Sequence, residues 1–103
     1  MAKDVCFKGD SRKSLEDFPY KIREQFVQAI EAIRYGLNPP LTLKPMNGLG
    51  KGVVEIKKNG KPAYRVVYVI KDDTLYILHA YSKTSNGTDK KHKDTISARH
   101  KQL

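Results

Sequence analysis

The residues of this chain that could do chemistry fall at alternate positions in its second half. His79, Tyr81 and Lys83 recur at every second place in "LYILHAYSK". Glu55 and Lys57 do the same in "GVVEIKK", and Arg65 opens "RVVYVI". Side chains two apart on a strand share a face, so these groups converge if the stretches pair in one sheet. Such a set suits a phosphodiester. Arg offers a planar fork to phosphate oxygens, Lys neutralises a backbone, and Tyr or His stacks on a base or moves a proton. Cleavage of RNA by its own 2′-hydroxyl needs no metal and no protein nucleophile. It needs a proton acceptor, a cation at the pentavalent phosphate and a proton donor for the departing oxygen. In that chemistry Arg65 steadies the phosphate and Glu55 orients its guanidinium. Lys57 or Lys83, once desolvated, is the base. Tyr81 or His79 is the acid or a stacking platform.

The same residues have plainer readings. A charged strand face is ordinarily the wet side of an antiparallel sheet. Glu55 with Arg65 is then a surface ion pair of small energetic weight. His79, between Leu78 and Ala80, is a core histidine, and Tyr81 caps the core edge. His92 and His100 read as solvated helix residues. The three histidines and one cysteine lack metal-ligand spacing, so no metal site and no cofactor are expected. "NGLGKG" lacks the spacing of a phosphate-binding loop.

Elements must place these groups. "DVCF" (Asp4 to Phe7) reads as a first strand, with Cys6 an inert buried thiol. Ser11 is the expected N-cap of a short helix over Ser14 to Phe18. Pro19 opens a second helix, in which Ile22, Phe26, Ala29, Ile30 and Ile33 form one apolar stripe and Gly36 is the C-cap glycine. "NPPLTLKPMNGLGKG" reads as a connecting loop. Three strands follow as a meander, turning at "NG" and "KDD". Asp89 or Thr88 caps a tail helix whose His92, Ile96 and Arg99 share a face. The pattern is α+β, two helices on a mainly antiparallel four-stranded sheet with a short C-terminal helix.

Register decides which residues meet. A two-residue loop at Asn59-Gly60 would place Arg65 opposite Val54, on the core face. An odd loop puts Glu55 and Arg65 together and gives Val54, Ile56, Tyr64 and Val66 to the core. A one-residue slip inverts every side chain, so burial selects the odd loop, here expected to carry a glycine bulge.

Length and charge set the frame. The 103 residues fit a single domain over 1–103, and 20 basic against 11 acidic residues give a formal charge of +9. That excess draws polyanions, nucleic acid foremost, and Lys51, Lys58, Lys90, Lys91 and Lys93 join His79 as expected RNA contacts. No apolar run approaches a membrane span, no signal-peptide core opens the chain, and the lone Cys6 fits a reducing cytoplasm.

The order of elements, with Leu49, Glu55, Tyr64-Arg65-Val66-Val67-Tyr68, Leu78-His79-Ala80-Tyr81-Ser82-Lys83 and the closing Ile96-to-Arg99 "ISAR", resembles the RelE/ParE toxin superfamily, in its phage-derived HigB-like branch. The resemblance implies a RelE-like fold and a type II toxin that enters the ribosomal A site and cuts messenger RNA there. It also implies a neutralising antitoxin, often with a helix-turn-helix domain. The family's catalytic positions map onto Arg65 and Lys83, then Tyr81 and Lys57. Thr84 stands where the branch carries a second lysine, and Gly87-Thr88-Asp89 where it carries Lys-Thr-Pro. Two other readings stay open: a ParE-like gyrase inhibitor, and a non-catalytic, phage-derived nucleic-acid-binding module.

Overall fold

The structure, a computed structural model, describes residues 2–84 and 89–103. Its elements run β1 (Asp4–Phe7), α1 (Ser11–Glu16), α2 (Tyr20–Arg34), β2 (Thr42–Pro45), β3 (Val54–Lys58), β4 (Ala63–Lys71), β5 (Thr74–Lys83) and α3 (Lys90–Lys101). The strands form one five-stranded sheet in the order β1-β5-β4-β3-β2. β1 lies parallel to β5, and every other pair is antiparallel.

The α+β class and the two helices on a mainly antiparallel sheet are as expected, but the sheet has five strands where four were expected. The extra strand is β2, in the segment read as loop. Its proline is tolerated because an edge strand has one unpaired side, where a missing N–H costs no ladder bond. Cys6 is also a correction: Val5 and Phe7 turn toward the core, so the alternation leaves Cys6 exposed.

α2 follows its stripe, burying Phe26, Ala29, Ile30 and Ile33. It ends in a Schellman motif: Leu37 N–H donates to Ala32 O at 2.8 Å and Gly36 N–H to Ile33 O at 3.1 Å, with Gly36 at φ +72°. α1 starts earlier than expected. Asp10 takes the N-cap position, and Ser11, fully buried, donates its hydroxyl to Ile77 O at 3.0 Å. Ser11 therefore ties α1 to β5 instead of capping its own helix.

The hairpin parity holds. Lys58 faces Tyr64 and Lys57 faces Arg65, which leaves residues 59–63 as an odd connection. Parity thus comes from loop length, and the ladder irregularity lies elsewhere, between Val67 and Tyr68 on the β5 side. Asp72 and Asp73, both at positive φ (52° and 62°), make the two-residue turn between β4 and β5.

Both faces of the sheet are covered. One packs Ile56, Val66, Leu75 and Ile77 against Leu15, Phe18 and the α2 stripe. The other packs Val67, Val69, Leu78 and Tyr81 against Ile96 of α3, with Met46 and Leu49 alongside. The second face is the one expected to be wet. Instead Glu55, Arg65 and Tyr81 are each only 5% exposed and His79 9%.

Candidate functional site

Strand alternation brings Glu55 and Lys57 of β3, Ala63, Arg65 and Val67 of β4, and His79, Tyr81 and Lys83 of β5 to one face. At its centre Tyr81 OH donates to Glu55 Oε2 at 3.0 Å. The other carboxylate oxygen, Oε1, lies 3.5 Å from Arg65 Nε, close enough for charge attraction but without hydrogen-bond alignment. Arg65 spends its remaining donors on the hairpin. Nη1 reaches Tyr64 O at 2.9 Å and Lys58 O at 3.3 Å, and Nη2 reaches Asn59 Oδ1 at 3.2 Å. A buried charge is tolerated only when its partners surround it, and here the β3–β4 connection wraps one guanidinium. Arg65 is therefore a fixed buried cation, not an open fork.

A second chain of contacts docks α3 on the same face. His79 Nε2 and His92 Nδ1 are 2.8 Å apart, and the His92 ring stacks on Tyr81 with centroids 4.1 Å apart and planes at 17°. Arg99 Nη1 donates to Leu78 O at 2.8 Å, and Nη2 to Asp10 Oδ1 at 2.8 Å. At that distance one ring donates and the other accepts, a single proton lying between the facing nitrogens. Burial pushes His79 down to about 4, helped by the coupled His92 ring, since two adjacent imidazoles resist both being protonated, and by the Arg99 guanidinium. Burial lowers His92 as well. Arg99 holds the Asp10 carboxyl below its ordinary value. His79 and Tyr81 therefore meet α3, and His92, expected in solvent, is part of the packing.

The accessible cations lie at the strand ends. Lys83 and Arg65 occupy diagonal positions across β4 and β5, roughly 7–8 Å apart by sheet geometry. Burial lowers the Lys83 ammonium pKa, and the neighbouring positive charges of Arg65, Lys57 and Lys44 lower it further against the opposing pull of Glu55. Lys57 is half-buried and Lys44 exposed. Lys44 pairs with Glu55 and so joins this face. It escaped the sequence reading because its strand was taken for loop. Lys90, Lys91 and Lys93 stand at the start of α3, the end that carries His92 to Tyr81. Lys58 contributes its carbonyl to Arg65. Lys51 belongs to the opposite end of α3, where its carbonyl lies 3.1 Å from His100 Nε2. It is not part of the cluster, and His100, expected in solvent, has this contact. Gly87 and Thr88 lie outside the described residues.

Of the sequence-predicted set, the structure brings together Glu55, Lys57, Arg65, Tyr81 and Lys83, with His79 stacked on Tyr81 at a centroid distance of 5.2 Å and its Nε2 committed to His92 of α3. Asn59, read only as a turn residue, and Arg99, read only within the closing pattern of the tail helix, are polar partners to which the sequence assigned no role. Among the described residues, no three His, Cys, Asp or Glu side chains converge to hold a metal ion, and no helix is long and apolar enough to cross a membrane.

Residues 13–101 match the family described as "Phage derived protein Gp49-like". No curated protein matches the chain. Among solved structures, a mutant of the Escherichia coli toxin RelE in the free state is similar over 100% of this chain and 99% of that one, at TM-score 0.66 and 18% identity. The RelB–RelE antitoxin–toxin complex of Methanococcus jannaschii contributes a chain similar at TM-score 0.60 and 24% identity, covering 76% of this chain and 89% of that one. The toxin–antitoxin complex RelBE2 of Mycobacterium tuberculosis contributes another, at TM-score 0.55 and 25% identity over 81% and 100%. The sheet with its packed helices is thus the fold of the RelE toxins.

Proposed function

The chain belongs to the phage-derived Gp49-like family and has the RelE fold, and on that premise we propose that it is the toxin of a toxin–antitoxin pair, a metal-independent endoribonuclease that cuts messenger RNA on the ribosome. The observation that carries the reading is the arrangement of Lys83, Lys57 and Lys44 around the buried charge of Arg65, with the Lys83 pKa lowered by burial and by those cations. A lysine so placed releases its proton more readily than a solvated one and then takes one back.

In the reaction, Lys83, once it has released its own proton, accepts the proton of the 2′-hydroxyl. O2′ attacks phosphorus, the P–O5′ bond breaks, and a 2′,3′-cyclic phosphate is left. Lys57 and Lys44 meet the phosphate oxygens, and Arg65 adds a fixed positive potential from behind. The proton needed by O5′ comes from a neighbouring ammonium or water. Tyr81, whose hydroxyl is given to Glu55, positions Glu55 and Arg65. The partner is an antitoxin, as in the two RelB-containing structures, with a helix-turn-helix domain in this branch, and the site of action is the cytoplasm.

Mapping transcript 5′ ends after induction tests the reading. New ends within translated message are expected for the wild type. Lys83→Met should reduce them about 100-fold or more while leaving the protein folded. Uncut message with a DNA-damage response would reassign the chain to gyrase inhibition. Growth without arrest would make it a non-catalytic binding module.

A further inference from the structure

Lys83 is an amine set among other cations. Ala63 lies directly opposite it on β4, and a methyl side chain takes up little room beside the lysine stem. Arg65 lies on the diagonal, with Lys57 opposite Arg65 on β3. Lys44 joins from β2, opposite Glu55. Among the described residues, Glu55 is the acid that acts on Lys83, and its two oxygens are already met by Tyr81 and Arg65. Four cations against one committed carboxylate attract an anion. An anion that carries an electrophile would set it against the Lys83 amine.

We propose that Lys83 is an acylation site for small acyl phosphates, and that the modification switches off the RNA cleavage put forward above, on which reading its consequence rests. The phosphate of the donor sits with Lys57 and Lys44, and Arg65 adds charge from behind. Lys83 Nζ, having released a proton to solvent, attacks the acyl carbon. A C–N bond forms, the acyl C–O bond breaks, and its electron pair leaves with inorganic phosphate. The nitrogen then gives a second proton to water. No oxidant or reductant is consumed. The cations that hold the phosphate also steady it as it departs. Burial and the same neighbouring charges lower the Lys83 pKa, which leaves more of its amine unprotonated. The product is a neutral amide. It can neither accept the proton of a 2′-hydroxyl nor meet a phosphate as a cation. Lys90 makes a reference within the same molecule, since its side chain is 89% exposed and pairs with Asp94 at 3.1 Å.

The test incubates the full-length protein with acetyl phosphate and follows acetylation of each lysine over time by peptide mass spectrometry. Lys83 should acquire the group about tenfold faster than Lys90, the lower end of what a charged cluster gains by concentrating an anion. Inorganic phosphate should slow Lys83 and leave Lys90 unchanged. Lys57→Met, checked for folding by circular dichroism, should slow Lys83 as well. With p-nitrophenyl acetate, an uncharged acyl donor, most of the Lys83 preference should vanish. Equal rates at Lys83 and Lys90 would overturn the proposal, as would a Lys83 preference that phosphate does not reduce or that the uncharged donor keeps in full. The two readings fail separately. Selective acylation of a protein that leaves message uncut in either form keeps the site and removes the nuclease. Message cut by a protein that shows no selective acylation keeps the nuclease and removes the site. Selective acylation that leaves cutting on translating ribosomes undiminished overturns the switch.

Discussion

Under α1 and α2, one face of the sheet sets Ile56, Val66, Leu75 and Ile77 against Phe26, Ala29, Ile30 and Ile33; under α3, the other face buries Glu55, Arg65 and His79 beside Val67, Leu78 and Ile96. The strands are the same, and successive residues supply the two sides. The first side is held by area removed from water and by close contact, which are non-directional, so residues of similar volume can exchange there. The second is held by named donors meeting named acceptors, and few other side chains can satisfy the same geometry. The comparison separates the part of the molecule that keeps it folded from the part that keeps particular charges in place.

Breaking the first face should have the largest effect. Phe26, fully buried, when cut to alanine, should cost about 3–5 kcal/mol in urea unfolding, a large share of the total for a chain of this size. Whatever activity survives should fall only in proportion to the folded fraction. The second face should behave otherwise. Glu55→Gln keeps the shape and an acceptor for Tyr81 but removes the anion beside Arg65. The expected stability loss is about 1–3 kcal/mol, with message cutting lost beyond what unfolding explains. A Glu55→Gln protein that cuts normally per folded molecule would erase the distinction between the faces.

The smallest effect sharpens the comparison through pH. His79 is held neutral, falling to about 4 from its ordinary 6.5. The unfolded chain therefore binds a proton that the folded chain refuses, and stability is full above 6.5 and declines as pH falls toward 4. The groups facing the ring are Arg99, Lys91 and His92 from α3 and Asp10 from the start of α1. Asp10, depressed by Arg99, contributes its own stability above its ordinary 3.8 and loses it only below that value, so the two windows separate. Urea midpoints at about pH 7.5 and about pH 5 should differ for the wild type and converge for His79→Gln. An equal pH response in both would move the acid sensitivity elsewhere.

Much of this was legible in the sequence, for reasons that can be named. β3, β4 and β5 were readable because alternation and burial permit only one parity, and that parity put Glu55 and Arg65 on one face, although the residue directly opposite Arg65 is Lys57. The helix α2 was readable from its stripe. β2 was not, because Pro39, Pro40 and Pro45 crowd a segment whose pairing depends on an edge being available, and Lys44 was lost with it. The cover over the second face was harder still. His92, Ile96 and Arg99 were seen to share a side of α3, but only Ile96 is apolar. A stripe of that composition reads as solvated until the partners His79, Tyr81 and Asp10 are placed opposite it. Arg65 was put on the right face and in the wrong medium for the same reason.

The seat of α3 carries one more consequence. A methyl group at Gly9 would stand 2.5 Å from the Arg99 guanidinium, and one at Gly50 would stand 2.5 Å from the His100 ring. Two neighbouring residues of the helix are thus received in sockets from distant parts of the chain. Adding or deleting one residue upstream in α3 would swing both side chains about 100° around the axis, and neither would find its recess. The tail can therefore be extended beyond Leu103 far more freely than it can be shifted in phase.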